Sequence, residues 1–122
     1  MIVAGFGFRG RATEASLHDA FQRALGERTA IAVATVTDKS YTMIFEEFAN
    51  ATGLEIIRVD GEILKQQTII THSDASMATR GTGSVAEASA LAAAGPNARL
   101  LGHRVVSGDG MATCAIAEGA DE

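Results

Sequence analysis

The chain has 122 residues, 47% of them hydrophobic and 20% charged, with a formal net charge of −5; that is the size of one domain, spanning 1–122, with enough apolar surface to favour a packed core over disorder. The acidic balance argues against a nucleic-acid or membrane-surface partner, because attraction to phosphate needs clustered positive charge. A single cysteine, Cys114, excludes an internal disulfide and any multi-cysteine metal site.

Ile2 to Phe6 is a short apolar run ending in glycines and reads as a buried opening strand. It carries no charged leader pattern, and the chain contains no apolar run of about 18 residues, so a cytoplasmic location is expected by default. Thr13 to Leu25 has helical spacing, with Leu17, Ala20, Phe21 and Ala24 on one face and Gly26 as a stop. Thr29 to Val36 is apolar and β-branched at intervals, as a strand covered on both faces would be. Thr37, Asp38, Lys39 and Ser40 form a polar turn at its end.

Thr42 to Thr52 reads as a second helix, closed by Gly53, with Ile44, Phe45, Phe48 and Ala49 facing inward. Leu54 to Val59 is a third strand, and Asp60 is placed to cap a short helix running to Gln66. Thr68 to Thr71 is a candidate edge strand and Ser73 to Arg80 a loop. Ser84 to Ala94 is the clearest helix: Ser84 and Glu87 fit a capping box, and Gly95 and Pro96 end it. Arg99 to Ser107 and Met111 to Ala117 are the last strands, joined by the hairpin residues Ser107, Gly108, Asp109 and Gly110. Glu118 to Glu122 is an acidic tail, expected to be mobile. Strands alternating with helices and closed by an antiparallel hairpin imply an α/β, three-layer sandwich: a mixed, mostly parallel sheet with helices on both faces.

Two glycine loops carry the functional signal. Gly5, Gly7 and Gly10 spell G-x-G-x-x-G after a strand, which permits a Rossmann- or flavodoxin-like nucleotide site. Against it, Arg11 and Ala12 separate the last glycine from the cap Thr13, Asp38 lies too far along to be the acidic residue expected about 20 positions on, and Phe6 and Phe8 crowd the loop. The bland alternative is a tight turn that needs positive φ. Arg9 and Arg11 suggest a third reading, a carboxylate receptor beside a helix start. Arg80, Gly81, Thr82, Gly83 and Ser84 also lead into a helix; a well-capped helix explains Ser84 and Glu87, and an anion cradle explains the rest. Asp38 and Lys39 sit where open α/β sheets bind ligands, outside a strand's C-terminal end. His18, His72 and His103 have no partner at metal-ligand spacing, so neither a metal centre nor a cofactor is expected, and Cys114 reads as a core thiol.

Four stretches resemble the CobE/CbiG C-terminal domain family of cobalamin (vitamin B12) biosynthesis. Val3 to Ala12 resembles the family's opening strand and G-x-G-C-R-x-G, and Ala34 to Lys39 its second-strand ending. Gly81 to Leu91 is similar to G-T-x-S-V-A-E-A-A-A-L, the most specific stretch, and Ala112 to Ala117 matches T-x-A-I-A. Phe8 stands where many members have cysteine, Asp38 falls one step beyond the family's acidic position, and His103 and Arg104 stand near an expected lysine.

The resemblance implies a role in building the corrin ring. CbiG is implicated in opening the lactone of a cobalt-precorrin with release of acetaldehyde; CobE is the free-standing counterpart in aerobic organisms. It implies that a carboxylate-rich corrin or precorrin intermediate is the ligand, with other cobalamin-pathway enzymes as further partners. Gly5, Gly7, Arg9, Gly10, Arg11, Asp38, Lys39, Arg80, Gly81, Thr82, Gly83, Ser84 and Glu87 are the candidate substrate-binding residues. Enzyme, carrier and accessory roles all fit these residues, which contain no complete catalytic set.

Overall fold

The computed structural model describes residues 1–62 and 82–119, with the backbone alone for residues 82–84. The expected strand Thr68–Thr71, the loop Ser73–Arg80 and most of the helix after Asp60 lie outside the described residues. Asp60 itself accepts the amide of Glu62 at 2.8 Å, as a cap does.

Strand β1 (Ile2–Phe8) is followed by helix α1 (Glu14–Leu25), β2 (Ala32–Val36), the short α2 (Thr37–Ser40), α3 (Met43–Thr52) and β3 (Glu55–Val59). After the segment outside the described residues come α4 (Thr82–Ala94), β4 (Arg99–Leu100), β5 (Val105–Val106) and β6 (Ala112–Glu118). The strands form one sheet in the order β3-β2-β1-β6-β4, with β5 also paired to β6. β1, β2 and β3 are parallel; β6 runs antiparallel to β1 over its full length, from Ile2 opposite Glu118 to Phe8 opposite Ala112.

Alternation along the strands divides the core into two layers. Ala4, Phe6, Phe8, Val33, Ala112, Cys114 and Ile116 face α1 and α3, whose Leu17, Phe21, Phe45 and Phe48 cover them. Val3, Ala32, Ala34 and Ala117 face the other way, onto Ala90, Leu91 and Ala94 of α4. The expected three-layer α/β sandwich is the observed one.

The helix ends follow their local signals. Thr13 caps α1: its hydroxyl accepts the Ser16 amide while Ser16 Oγ accepts the Thr13 amide, a reciprocal box with serine in the place where glutamate is usual. Gly53 closes α3 in the left-handed conformation at φ 75°. Thr42 makes no cap for α3, because its hydroxyl donates to the carbonyl of Lys39 at 2.7 Å.

Four expectations need correction. β1 runs through the first glycine loop to Phe8 instead of stopping at Phe6. Thr37 to Ser40 is a turn of helix rather than an open turn. The strand expected over Arg99 to Ser107 is two strands; between Leu100 opposite Ala117 and Val105 opposite Cys114, five steps on one side meet three on β6, so two extra residues bulge out. Glu118, assigned to a mobile tail, is the last residue of β6 and pairs with Arg99 at 3.0 Å.

Candidate functional site

The parallel strands β1 and β2 end side by side at Phe8 and Val36, and each leads into a polar segment. Beyond β1 the chain makes a turn from Arg9 to Ala12, closed by the Ala12 amide donating to the Arg9 carbonyl at 3.0 Å. Arg9, Gly10 and Arg11 are all exposed, and neither guanidinium has an ion-pair partner among the described residues. Beyond β2, Lys39 reaches back: its Nζ donates to the Phe8 carbonyl at 2.6 Å and lies 5.0 Å from the centre of the Phe8 ring. One of three ammonium donors is thereby used and the charge is held at the strand end. Asp38 is exposed beside it.

Helix α4 brings its start to the same edge. Gly5 lies beneath Ala86 and Ala90, while Val3 packs with Ala90, Leu91 and Ala94. The helix therefore runs opposite to β1, and its first residues, Thr82, Gly83 and Ser84, lie toward the C-terminal end of that strand. Amides without intrahelical partners and the positive end of the helix dipole belong to such a start. Arg80 and Gly81 are outside the described residues.

Other candidates have structural employment. Gly5 and Gly7 lie inside β1, and Gly5 has no positive φ. A Cβ on Gly5 would stand 2.3 Å from the Ala86 carbonyl oxygen and 2.4 Å from the Ala90 nitrogen. The glycine therefore admits a helix, not a turn. The Gly7 carbonyl accepts the Thr113 hydroxyl at 3.3 Å. The G-x-G-x-x-G spelling thus does not form the strand-to-helix turn that a dinucleotide site requires. Ser84 lies within α4, whose first residue is Thr82, so the expected cap at Ser84 is displaced. Glu87 accepts the backbone amide of Arg104 at 3.3 Å, holding the bulge between β4 and β5.

Sequence reasoning missed the residues that brace the arginine turn. The Arg9 amide donates to the Met111 carbonyl at 2.9 Å, tying the turn to the β5–β6 hairpin. Asp109 at the hairpin tip accepts from Ser107 Oγ at 2.5 Å, Ser16 Oγ at 2.6 Å and the Met111 amide at 3.0 Å. The Ser107 hydroxyl, then that of Ser16, then the Met111 amide hold its carboxyl down at about 2. Asp19 is also held below the usual carboxylate range, first by the Gly108 amide at 2.6 Å and then by Arg23. A turn signal at Ser107 to Gly110 was visible in the sequence, but nothing in it pointed across to α1.

The histidines do not converge. His18 packs edge-on to Phe48, with ring centres 4.8 Å apart, and reaches Glu14 at 3.4 Å; His103 is exposed and His72 lies outside the described residues. No group of three His, Cys, Asp or Glu side chains suited to a metal occurs among the described residues. Cys114 is fully buried, and burial pushes its thiol well above the usual range. Two open grooves on the helical layer, between α3 and β3 and between α1 and α3, are lined by none of the turn residues. No helix among the described residues is long and apolar enough to cross a membrane.

Residues 2–117 match the family described as cobalamin synthesis G C-terminus. The chain belongs to this family. Among solved structures it is similar to the cobalamin biosynthesis protein chiG from Agrobacterium tumefaciens, with 34% identity, a TM-score of 0.77, and 99% of this chain aligned to 100% of that one. It is also similar to CobE, a protein from the cobalamin (vitamin B12) biosynthetic pathway, at 28% identity and a TM-score of 0.83, covering 100% of this chain and 92% of that one. A cobalamin biosynthesis protein G homolog from Sulfolobus solfataricus shares the fold at 17% identity and a TM-score of 0.69, with 99% of this chain matching 37% of that one. No curated protein matches the chain.

Membership assigns the chain to the cobalamin biosynthesis proteins. It also sorts the motifs. The first family stretch contains both a packing glycine, Gly5, and the exposed pair Arg9 and Arg11. The Gly81–Leu91 stretch contains residues that let α4 lie on the sheet as well as the start of that helix.

Proposed function

We propose that this protein binds a corrin or precorrin intermediate in the cytoplasm by its peripheral carboxylates, at the C-terminal edge of β1 and β2. Arg9 and Arg11 are the principal receptors, Lys39 and the start of α4 contribute positive potential, and Gly10 keeps the turn open to a bulky ligand. One observation carries this reading: a protein of net charge −5 holds two exposed guanidinium groups, without ion-pair partners among the described residues, on a turn braced at the strand end. Such a macrocycle is flat and rimmed by acetate and propionate groups. Guanidinium forks and helix-start amides bind carboxylates by charge-assisted bonds, and an acidic protein can attract an anion where its cations are gathered. Phe8 is buried at 3% exposure and stacks on Phe45, so the proposal leaves it in the core.

The experiment is a titration with cobyrinic acid, a corrin whose peripheral carboxyl groups are free, followed by its visible bands. Its fully esterified form is the control. Wild type is expected to bind the acid and not the ester, and more weakly as salt rises. Losing a charge-assisted bond should reduce affinity roughly tenfold, so Arg9→Ala with Arg11→Ala is expected to weaken binding at least that much. Equal affinity in wild type and double variant, at equal thermal stability, would overturn the assignment.

A further inference from the structure

We infer that Asp109 is the positioning residue of the arginine turn, its two carboxylate oxygens joining the β5–β6 hairpin to α1 so that residues 9–13 are held at both ends. The inference rests on the binding role proposed for Arg9 and Arg11, but its physical core does not depend on a ligand. Oδ1 faces the hairpin, accepting from Ser107 Oγ and the Met111 amide. The carbonyl of that same Met111 takes the Arg9 amide at 2.9 Å and so holds the turn's beginning. Oδ2 faces α1, accepting from Ser16 Oγ at 2.6 Å. Ser16 Oγ in turn accepts the Thr13 amide at 3.1 Å, which holds the turn's end.

A carboxylate that merely shaped its own hairpin would need only Oδ1, since a bond to the amide two residues on is what an Asp does in a turn. The Ser16 bond spans 93 positions and has no part in hairpin geometry. Asp19 supplies a natural control. It also ties the hairpin to α1, through the Gly108 amide, but it reaches neither Met111 nor the Thr13–Ser16 box. Asp109 touches no proposed ligand group; it acts through the turn's backbone. Unbraced, the two guanidinium groups would sample more geometries, and a ligand would have to order them on binding.

The test uses the full chain and Asp109→Ala, Asp109→Asn, Ser16→Ala and Asp19→Ala. Without ligand, amide hydrogen exchange at Arg9 and Thr13 is expected to accelerate in Asp109→Ala and, at Thr13, in Ser16→Ala, while the amides of β1 and β2 stay protected. Asp109→Asn retains an acceptor for the hairpin and should fall between wild type and Asp109→Ala; it serves if Asp109→Ala does not fold. Unchanged exchange at Arg9 and Thr13 in stable Asp109 variants sinks the inference, whether or not cobyrinic acid binds. In the titration, Asp109→Ala is expected to weaken binding roughly fivefold to tenfold and to add little in a background already carrying Arg9→Ala and Arg11→Ala. Asp19→Ala should leave affinity unchanged; an equal loss there, or full additivity with the arginine changes, would assign the effect to general hairpin docking and overturn the inference. Failure of wild type to bind cobyrinic acid removes the proposed function and leaves the exchange measurement to decide the positioning role.

Discussion

On one face of the sheet all five phenylalanines of the chain gather under α1 and α3, with Phe6 5.1 Å from Phe48 and 5.7 Å from Phe45, ring centre to ring centre. On the other, α4 lies so close to β1 that there is no room for a Cβ on Gly5, and its contacts are mainly alanines: Ala86, Ala90 and Ala94 with Ala34 and Ala117. Both faces exclude water by different means. The aromatic face gains from area and from edge-to-face ring geometry, so removing atoms is what harms it. The small-residue face gains from short backbone separation, so adding atoms harms it. The difference also bears on the site: α1 reaches the arginine turn through Thr13 and Ser16, whereas α4 presents its start because Gly5 permits its close approach.

The largest effect expected on this contrast is Phe48→Ala, a truncation at a fully buried ring, which should cost about 3–5 kcal/mol in denaturant unfolding. Gly5→Ala adds only one methyl, yet it should cost about 1–3 kcal/mol or more, because the atoms it meets belong to the α4 backbone. A wild-type midpoint in Gly5→Ala would refute the close-approach account of that face. Gly10→Ala is the matched control: a Cβ there meets nothing within 4 Å and the backbone has no positive φ. Its stability should stay within about 0.5 kcal/mol of wild type.

A smaller effect separates the hairpin from both faces. The Asp109 carboxyl is held at about 2, below its ordinary value. Its contribution to stability is therefore fully present above an unfolded-state pKa of about 3.9 and is lost as pH falls through about 2. Melting curves of wild type and Asp109→Asn should differ by a constant amount at neutral pH and converge below about pH 4. A gap that persists undiminished at pH 2 would mean that the charge of Asp109 is not what braces the hairpin.

Much of this protein was legible in local pattern. Period and caps sufficed for α1, α3 and the run of parallel strands, and Gly26 and Gly53 marked helix ends, because each signal is carried by residues a few positions apart. The family stretches were legible for the same reason. Tertiary structure decided what depends on partners far along the chain. Gly5 reads as a turn glycine until Ala86 and Ala90, more than 80 positions later, are laid on it. Lys39 reads as a free cation until its ammonium is found on the Phe8 carbonyl. Glu87 reads as half of a capping box until the Arg104 amide claims it, and Asp109 as a hairpin residue until Ser16 does. In each case a short-range preference was satisfied by a long-range partner, and a linear pattern encodes the preference but not the partner. The sequence by itself determined which residues are charged, apolar or small and the order of the elements; only packing decided which of them are spent on holding the fold and which, like Arg9 and Arg11, are left facing solvent.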